Sequence, residues 1–590
     1  MKKNLIFIAI ALGIAIALTA VRSFADGDDD WGRFPNFEFQ PHSLVLTRSV
    51  YVGAPSLLVP GVTVLPPGCV AGTVKVPLIA GGTTSVSVTC TTPTTDATYP
   101  TVFNNAAADG HFGITSPIFL DNLTTDGHLL GTLPIPTDQI VTSFSSKSEL
   151  AVHRSTDGKS ITFVGYHGGP GFPTGANIFD VSNGNTPGLI DPTNAAVGQY
   201  YRSVAEVDAH GHLMVTDGNA YSGDNDRGAF KGSTGFYYLV GNDNSGNLSK
   251  KQTTTTVVGE ELVNSTGAEL LVPGQTPPVP PNINKIGDFE INQVIEPSTG
   301  MPYAKDKAGK DNNYRGVTIF NDTLYVTKGS GGNGINTVYQ VGNAGVLPSG
   351  ETATLAALPI TILPGLPDTL ASGVSSLGVP TPVTYPFGIW FANANTLYVA
   401  DEGDGCSANG SAPCTDILAS GTPEEIAASV YAHAQNQTTA GLQKWVFDSA
   451  AGQWNLAYTI QAGLNLGLPY SIPNYPTGLN AATGLPWAPV TDGLRNITGR
   501  VNGDGTATIW AITSTVSGNG DQGADPNLLV KVTDRLDATS LPTGNGGNGW
   551  GWDWDHPLDV FITIRAAKNG EVFRGISLAP EDRHDDHKNW

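Results

Sequence analysis

Residues 314–330 read YRGVTIFNDTLYVTKGS: two short apolar runs joined by a polar turn at Asn321 and Asp322. A close relative, FGIWFANANTLYVADEG, returns at 387–403. Further copies are SELAVHRSTDGKSITFVGY from Ser148, YRSVAEVDAHGHLMVTDGN from Tyr201 and a stretched LRNITGRVNGDGTATIWAITS from Leu494. Short, fully apolar runs bounded by turn signals are what a strand buried on both faces looks like. Copies at irregular spacing indicate repeated units that carry loops of different length.

Each pair is followed by more strand candidates: TVYQVG after the 314 copy, LQKWVFDSAAGQWNLAYTIQ after the 386 copy, GFYYLVGN after the 201 copy and NLLVKVTDRL after the 494 copy. Four strands per unit is the pattern of a β-propeller, in which the first strand of each blade lines the central channel. The chain ends bear on the same reading. FRGISLAP, from Phe573, is a first half with no second, and HSLVLTRSVYVG, from His42, is a second half with no first. Pairing them would complete a blade and leave no open sheet edge. The expected fold is therefore all-β, a propeller of six blades closed by its N- and C-terminal strands. A degenerate seventh blade between 255 and 310 remains the alternative.

Composition agrees. Of 590 residues only 14% are charged, 40% are hydrophobic, and Gly (72) and Pro (41) are abundant, as expected of many short strands and long turns. The formal net charge of -22 argues against nucleic acid as a partner, because phosphates are repelled. Residues 1–25 have a basic MKK, a long apolar stretch and SFA at a cleavage site, which is the pattern of a secretory signal; an uncleaved anchor is the alternative, and no later segment is apolar enough to span a bilayer. Residues 26–41 form an acidic N-terminal segment, 42–580 a single propeller domain and 581–590 a polar tail. Insertions fall at about 53–111, 255–310, 404–440 and 541–557. Within the third, TPEEIAASVYAHAQ from Thr422 is a helix with a Thr cap and acidic first turn. Export fits two local disulfides, Cys69 with Cys90 and Cys406 with Cys414, out of three possible connectivities. Neither pair has zinc-finger spacing.

LVLTRSVYVG, FGITSPIFLD, SFSSKSELAVHRSTDGKSITFVGY, KDNNYRGVTIFNDTLYVTKGSGGNGINTVYQVG and FRGISLAP together resemble a group of secreted bacterial β-propeller-like proteins, over most of residues 42–580. The resemblance implies the fold and export; it carries no activity, substrate or site residue.

Aligning the units places Arg202, Arg315, Arg495 and Arg574 at the entry to a first strand, with Phe387 and Glu149 at the same place in two others. Equivalent positions of a propeller meet on one rim of its channel. Guanidinium forks suit carboxylate or phosphate, so an anion-binding mouth is one reading; the other is that each Arg pairs with carboxylates or loop carbonyls between blades. Asp311, Asn312, Asn313, Tyr200, Tyr201, Lys147 and His153 lie beside these positions, and a carboxylate or His there would suit acid–base work.

Acidic turns form a second set. Asp217, Asp224 and Asp226, then Asp401, Glu402 and Asp404, then Asp521 and Asp525 offer oxygen ligands of the kind calcium takes, or simply make turns. HGGPG at 167–171 is like an oxyanion loop, but no GxSxG elbow accompanies it. Trp550, Trp552 and Trp554 alternate, so on an extended segment they would face one way, toward a sugar, a partner or the propeller rim. Three functions remain open at this point. One is a binding module for a small anionic or carbohydrate ligand at the mouth. Another is a hydrolase or lyase acting there, with calcium as a possible cofactor. The last is a structural component of an envelope or matrix. The oligomeric state is not readable.

Overall fold

The computed structural model describes residues 37–582 apart from 54–57, 66–67, 78–82, 94–95, 97, 101, 103–112, 145–148, 169–177, 180–183, 188–198, 224, 243–266, 276–284, 306–310, 330–331, 374–382, 481–483, 518–522 and 542–557. Six antiparallel blades form a propeller ring. Blade 1 is the composite one: Glu571–Leu578 is innermost, followed by Leu44–Val50, Ile118–Leu123 and Leu129–Pro134. The register runs from Leu44 opposite Leu578 to Val50 opposite Glu571, so the two chain ends do zip together.

Blades 4, 5 and 6 keep the phrase intact. Blade 4 is Val317–Phe320, Thr323–Lys328, Thr337–Val341 and Ile360–Ile362. Blade 5 is Pro386–Asn393, Thr396–Asp401, Gly441–Asp448 and Gln453–Ile460. Blade 6 is Val490–Val501, Thr506–Val516, Leu528–Arg535 and Ile562–Ala566. Asn321 and Asp322 both sit at positive φ, 47° and 51°, the double left-handed turn that joins twisted strands in the tightest hairpins. The helix Pro423–Asn436 has the full capping box between Thr422 and Glu425.

Blades 2 and 3 correct the sequence alignment. In blade 2 the inner edge is split between Ile140–Ser143 and His153–Arg154, both pairing with Ser160–His167. The strand Arg202–Asp208, taken as a first strand on the strength of its YRS opening, is the third strand of this blade, and Leu213–Gly218 the fourth. Blade 3 opens instead with Asp226–Lys231, followed by Tyr237–Gly241 and Ala268–Leu271. Residues 268–271 thus belong to blade 3, and among the described residues no seventh blade forms between 255 and 310.

The hydrophobic core consists of seams between blades. Val45, Leu120 and Leu133 of blade 1 meet Phe163 and Ala205 of blade 2, and Val164 and Val204 meet Tyr237 and Leu239 of blade 3. Tyr238 and Val240 meet Leu324 and Tyr339 of blade 4, and Val338 meets Leu397 and Trp445 of blade 5. Tyr398 and Leu442 meet Ile509 and Val530 of blade 6. The ring closes where Trp510, Ile512 and Leu529 pack on Leu44, Leu46, Phe573 and Ile576. A blade's two apolar faces each bury against a neighbour, which is why the strands read as unbroken apolar runs rather than as alternation.

Both disulfides form as paired from the sequence, which agrees with an oxidising compartment. Among the described residues no helix is long and apolar enough to cross a membrane. The signal-like residues 1–25 and the Trp550–Trp554 stretch lie outside the described residues.

An ion network locks the closing blade. The Arg48 side chain bonds Asp121 through Nε at 3.1 Å and Glu571 through Nη1 at 3.0 Å, and the Asp121 side chain is fully buried. Asp121 also accepts from Thr132 at 2.7 Å. Removing one partner of such a pair strands a buried charge, at a cost of about 3–5 kcal/mol. Asp121→Ala, which leaves Arg48 only Glu571, is expected to lower the free energy of urea unfolding by at most that order; a loss below about 1 kcal/mol would mean the network contributes no more than a surface pair.

Candidate functional site

First strands start, and second strands end, on the same face of the ring. Arg315 enters blade 4 there, Arg495 enters blade 6, and Glu402 follows the second strand of blade 5. The entry position is built in a repeated way. The ladder between first and second strands breaks register at Arg227, at Phe387 and Gly388, and at Arg495 and Asn496; at Arg574 the break falls between the two innermost strands of blade 1. Such bulges re-aim a side chain out of the plane of the sheet. The glycine that often follows has a packing reason. A Cβ on Gly316 would lie 2.0 Å from the Phe387 carbonyl oxygen, and one on Gly575 would lie 2.4 Å from that of Leu150. Neighbouring first strands converge too closely at the axis for a side chain at that position.

This geometry fixes which residues are equivalent. Arg227, Arg315, Phe387, Arg495 and Arg574 occupy the entry position in five blades, and Leu150, not Glu149, occupies it in blade 2. Arg202 is not among them. Its guanidinium lies on the third strand of blade 2, donating to the carbonyls of Tyr200, Gly184 and Tyr221 and stacking 5.0 Å from the Tyr166 ring centre. Arg227 was missed, although DRGAF carries the same Arg-Gly pair as YRGVT and FRGIS.

All four entry arginines are buried, but their surroundings differ. Arg574 donates to the carbonyls of Phe144 and Gly523 and to Ser49. Arg227 donates to Asn313 and, at 2.8 Å, to the Tyr314 carbonyl, tying blade 3 to blade 4. Asp311 accepts from the Ile291 amide, and Asn312 bonds Asp288 and Phe289. These groups hold the ring together. Arg315 and Arg495 stand against carboxylates instead. Arg495 Nε is 3.1 Å from Glu402, and Arg315 lies 6.0 Å from the centre of the Phe387 ring. Burial pulls the Arg315 guanidinium below its usual value, with Glu402 opposing the shift and Arg495 adding to it.

Beside this pair sits a knot of buried carboxylates. Asp401 accepts from the amides of Tyr385 and Gly403 and from Gln443. Asp492 accepts from Gln437 and the Gly405 amide. Burial raises Asp401 to about 7 despite its two amide donors, and burial together with Asp404 raises Asp492 to about 7. Asp404 faces His433, whose Nε2 is 2.7 Å from it and whose Nδ1 is 2.6 Å from Asp416. A cleft of about 360 Å3 opens alongside, lined by uncharged residues that include Ser407, Asn409, Leu418, Ile426, Leu485 and Ser517.

A second buried centre lies between blades 2 and 3. Glu149 accepts from Thr142, the Ser143 amide, Tyr166 and Asn225. Nearby Asp226 is fully buried, and among the described residues neither of its oxygens has a hydrogen-bond partner. Burial, then the charge of Glu149, pushes the Asp226 carboxyl well above its ordinary range, against the pull of Arg202 and Arg227. His153, on the inner edge, is stacked 5.3 Å from Phe230 and lowered to about 4 by burial.

Among the described residues the candidate calcium ligands fall in several places, and only Asp401, Glu402 and Asp404 lie near one another. Asp217 pairs with His167 at 2.8 Å on the fourth strand of blade 2, Asp226 is at the axis, and Asp401 and Asp404 are in blade 5 with their oxygens facing hydrogen-bond donors. Asp525 is taken by Tyr475 and Ser517. Asp224 and Asp521 lie outside the described residues, as do Lys147 and part of HGGPG. Among the described residues one mixed group could hold a metal ion: Asp404, Cys406 and His433.

No family model matches the chain, and no curated protein does. Solved structures that resemble it include a glucose dehydrogenase (TM-score 0.30, 11% identity, 68% of this chain and 94% of that one). A PQQ-bound aldose sugar dehydrogenase from Streptomyces coelicolor gives 0.27 and 10%, over 84% and 100% of the two chains. A Synechocystis apocarotenoid oxygenase variant gives 0.31 and 9%, over 94% and 97%. Similarity this low transfers no chemistry.

A carboxyl that keeps its proton on folding stabilises below its unfolded pKa and loses that contribution as pH rises toward the folded value. For Asp226 the loss begins near the unfolded value of about 3.9 and runs upward at about 1.4 kcal/mol per pH unit. Asp226→Asn mimics the protonated form. Its stability relative to the parent is expected to climb between pH 5 and 8 on that basis; parallel stability curves for the two proteins would show that Asp226 is ionised in the folded state.

Proposed function

We propose that the protein is an exported binding module that takes a small anionic or acidic-carbohydrate ligand at the arginine-bearing mouth, between blades 4 and 6. One observation supports this reading: Arg315 and Arg495, buried at the entry to blades 4 and 6, lie close enough to Glu402 and to each other to interact, with Arg495 paired to Glu402 directly. Their planar forks would orient a ligand carboxylate or phosphate. The other entry arginines, satisfied by carbonyls, act as frame. Export is supported by the two disulfides and the signal-like N-terminus.

A second reading has its own support. Asp401 and Asp492, each held near 7, would suit proton transfer at neutral pH, so a hydrolase or lyase at the same mouth is the alternative. Calcium has less support, since among the described candidates Asp401 and Asp404 already face protein donors.

Calorimetry against a panel of phosphates, uronic-acid oligosaccharides and neutral sugars tests the first reading. A ligand that binds the parent should bind Arg315→Gln at least ~10-fold more weakly, as expected for a lost charged hydrogen bond. Glu402→Gln, which removes the competing carboxylate, should bind it more tightly. Binding confined to neutral sugars, or unchanged in both folded variants, overturns the proposal. Release of product from the same panel would favour the enzymatic reading.

A further inference from the structure

We propose that Asp404, Cys406 and His433 form a transition-metal site that the Cys406–Cys414 disulfide keeps closed, and that reduction of this bond by a dithiol opens to Zn2+ or a similar ion. This inference is independent of the ligand proposed for the mouth. It starts from three ligand atoms of three kinds, cysteine sulfur, imidazole nitrogen and carboxylate oxygen, all within 4.8 Å of one another. Zinc accepts this mixture in tetrahedral sites. Sequence spacing gave no hint of it, because Asp404 and Cys406 come from the loop after the second strand of blade 5, whereas His433 comes from the last turn of the helix Pro423–Asn436.

The imidazole is already set as a ligand. Its Nδ1 is 2.6 Å from Asp416 Oδ1, and its Nε2 is turned to Asp404 Oδ2 at 2.7 Å. Histidines that bind metals are held this way, with a carboxylate on the far nitrogen fixing the ring and raising its basicity. The backbone amide of Cys406 holds Asp404 through its other oxygen at 3.0 Å. Cys406 and His433 are buried, with relative exposures of 3% and 8%. Oxidised, the sulfur is bonded to Cys414 and is no thiolate donor, and a proton between His433 and Asp404 occupies the place of the metal.

Opening the site has a simple balance. The dithiol loses two electrons and two protons and becomes a disulfide, while the protein bond becomes two thiols. Metal entry then releases the Cys406 and Cys414 thiol protons and the proton on His433 Nε2 to solvent. The cysteines are only eight positions apart, so Cys414 stays tethered nearby and completes the ligand set. Cys69 and Cys90 belong to no such group among the described residues, so their reduction should create no site.

Cobalt(II) is the probe. Cys414→Ser exposes the Cys406 thiol without any reductant and leaves Cys69–Cys90 intact. It should bind one Co2+ with a near-ultraviolet thiolate-to-cobalt band and the visible bands of tetrahedral cobalt, and zinc should raise its Tm. The double variant Cys406→Ser/Cys414→Ser should show neither effect. Adding His433→Gln to Cys414→Ser should weaken binding ~10-fold or more. The parent should bind only after reduction and removal of the dithiol, a measurement that decides the matter if Cys414→Ser does not fold. Equal cobalt spectra in Cys414→Ser and the double variant Cys406→Ser/Cys414→Ser, or no thiolate band in either folded Cys414→Ser or the reduced parent, would overturn the proposal.

Discussion

The antiparallel pairing of Glu571–Leu578 with Leu44–Val50 is the constraint on which the rest depends. Without it blade 1 has no inner strand, and the seam that Phe573 and Ile576 form with Trp510 and Leu529 opens to water. The pairing brings together segments from opposite ends of the chain. The entropic cost of closing so long a loop grows only with the logarithm of its length, about 0.6 kcal/mol per doubling. Burying even one large apolar side chain contributes about 1.5–3 kcal/mol, so a seam of several such residues outweighs it. Closure also puts every first strand beside two others, and that crowding creates the entry position where the site lies.

At the axis, packing and chemistry are written in one dipeptide. The glycine of Arg-Gly is there because adjacent backbones leave no room for a Cβ. The arginine is there because the bulge turns it out of the sheet, where its fork can reach across to the next blade. Repetition alone therefore could not separate a binding ring from a structural one. The separation comes from partners: carbonyls for Arg227 and Arg574, a carboxylate for Arg495. Backbone partners are fixed by the fold. A side-chain partner such as Glu402 is not fixed in that way.

The architecture was legible wherever local pattern and tertiary role coincide. The phrases of blades 4, 5 and 6, the capped helix, the cysteine pairs and the half-phrases at the chain ends all signal themselves within a few residues. Blade 2 misled because a third strand buried on both faces looks the same as a first strand, and Arg202 supplied a matching entry residue by coincidence. Blade 3 was hidden for the opposite reason: its short first strand follows an acidic turn, and DRGAF is too brief for periodicity to mark it. The site was legible only in part. Arg315, Arg495 and Asp401 were found by position, but Asp492 sits within a first strand as an unremarkable polar residue, and its nearness to Asp404 follows only from blade 6 packing on blade 5. His433 likewise meets Asp404 only through the docking of the helix.

The charge distribution sets how an anion could be recognised here. The chain carries a formal net charge of -22, so its outer field repels anions rather than steering them inward. At physiological ionic strength that repulsion fades within about 8 Å, while the buried guanidiniums are shielded far less by salt. Selection would then rest on short contacts made after the ligand has shed water. That favours a compact charged group over a diffuse polyanion, since each charge left outside the mouth would face the acidic exterior. It also assigns the crowded carboxylates a physical role. Asp401 and Asp492, held near 7 by burial and by each other's acidic neighbours, can shed or keep a proton as the local charge changes. Occupation of Arg315 and Arg495 by an anion would push their protonation upward, because added negative charge disfavours the ionised form. An anion bound as proposed would thereby be coupled to proton uptake beside it through the low-dielectric interior.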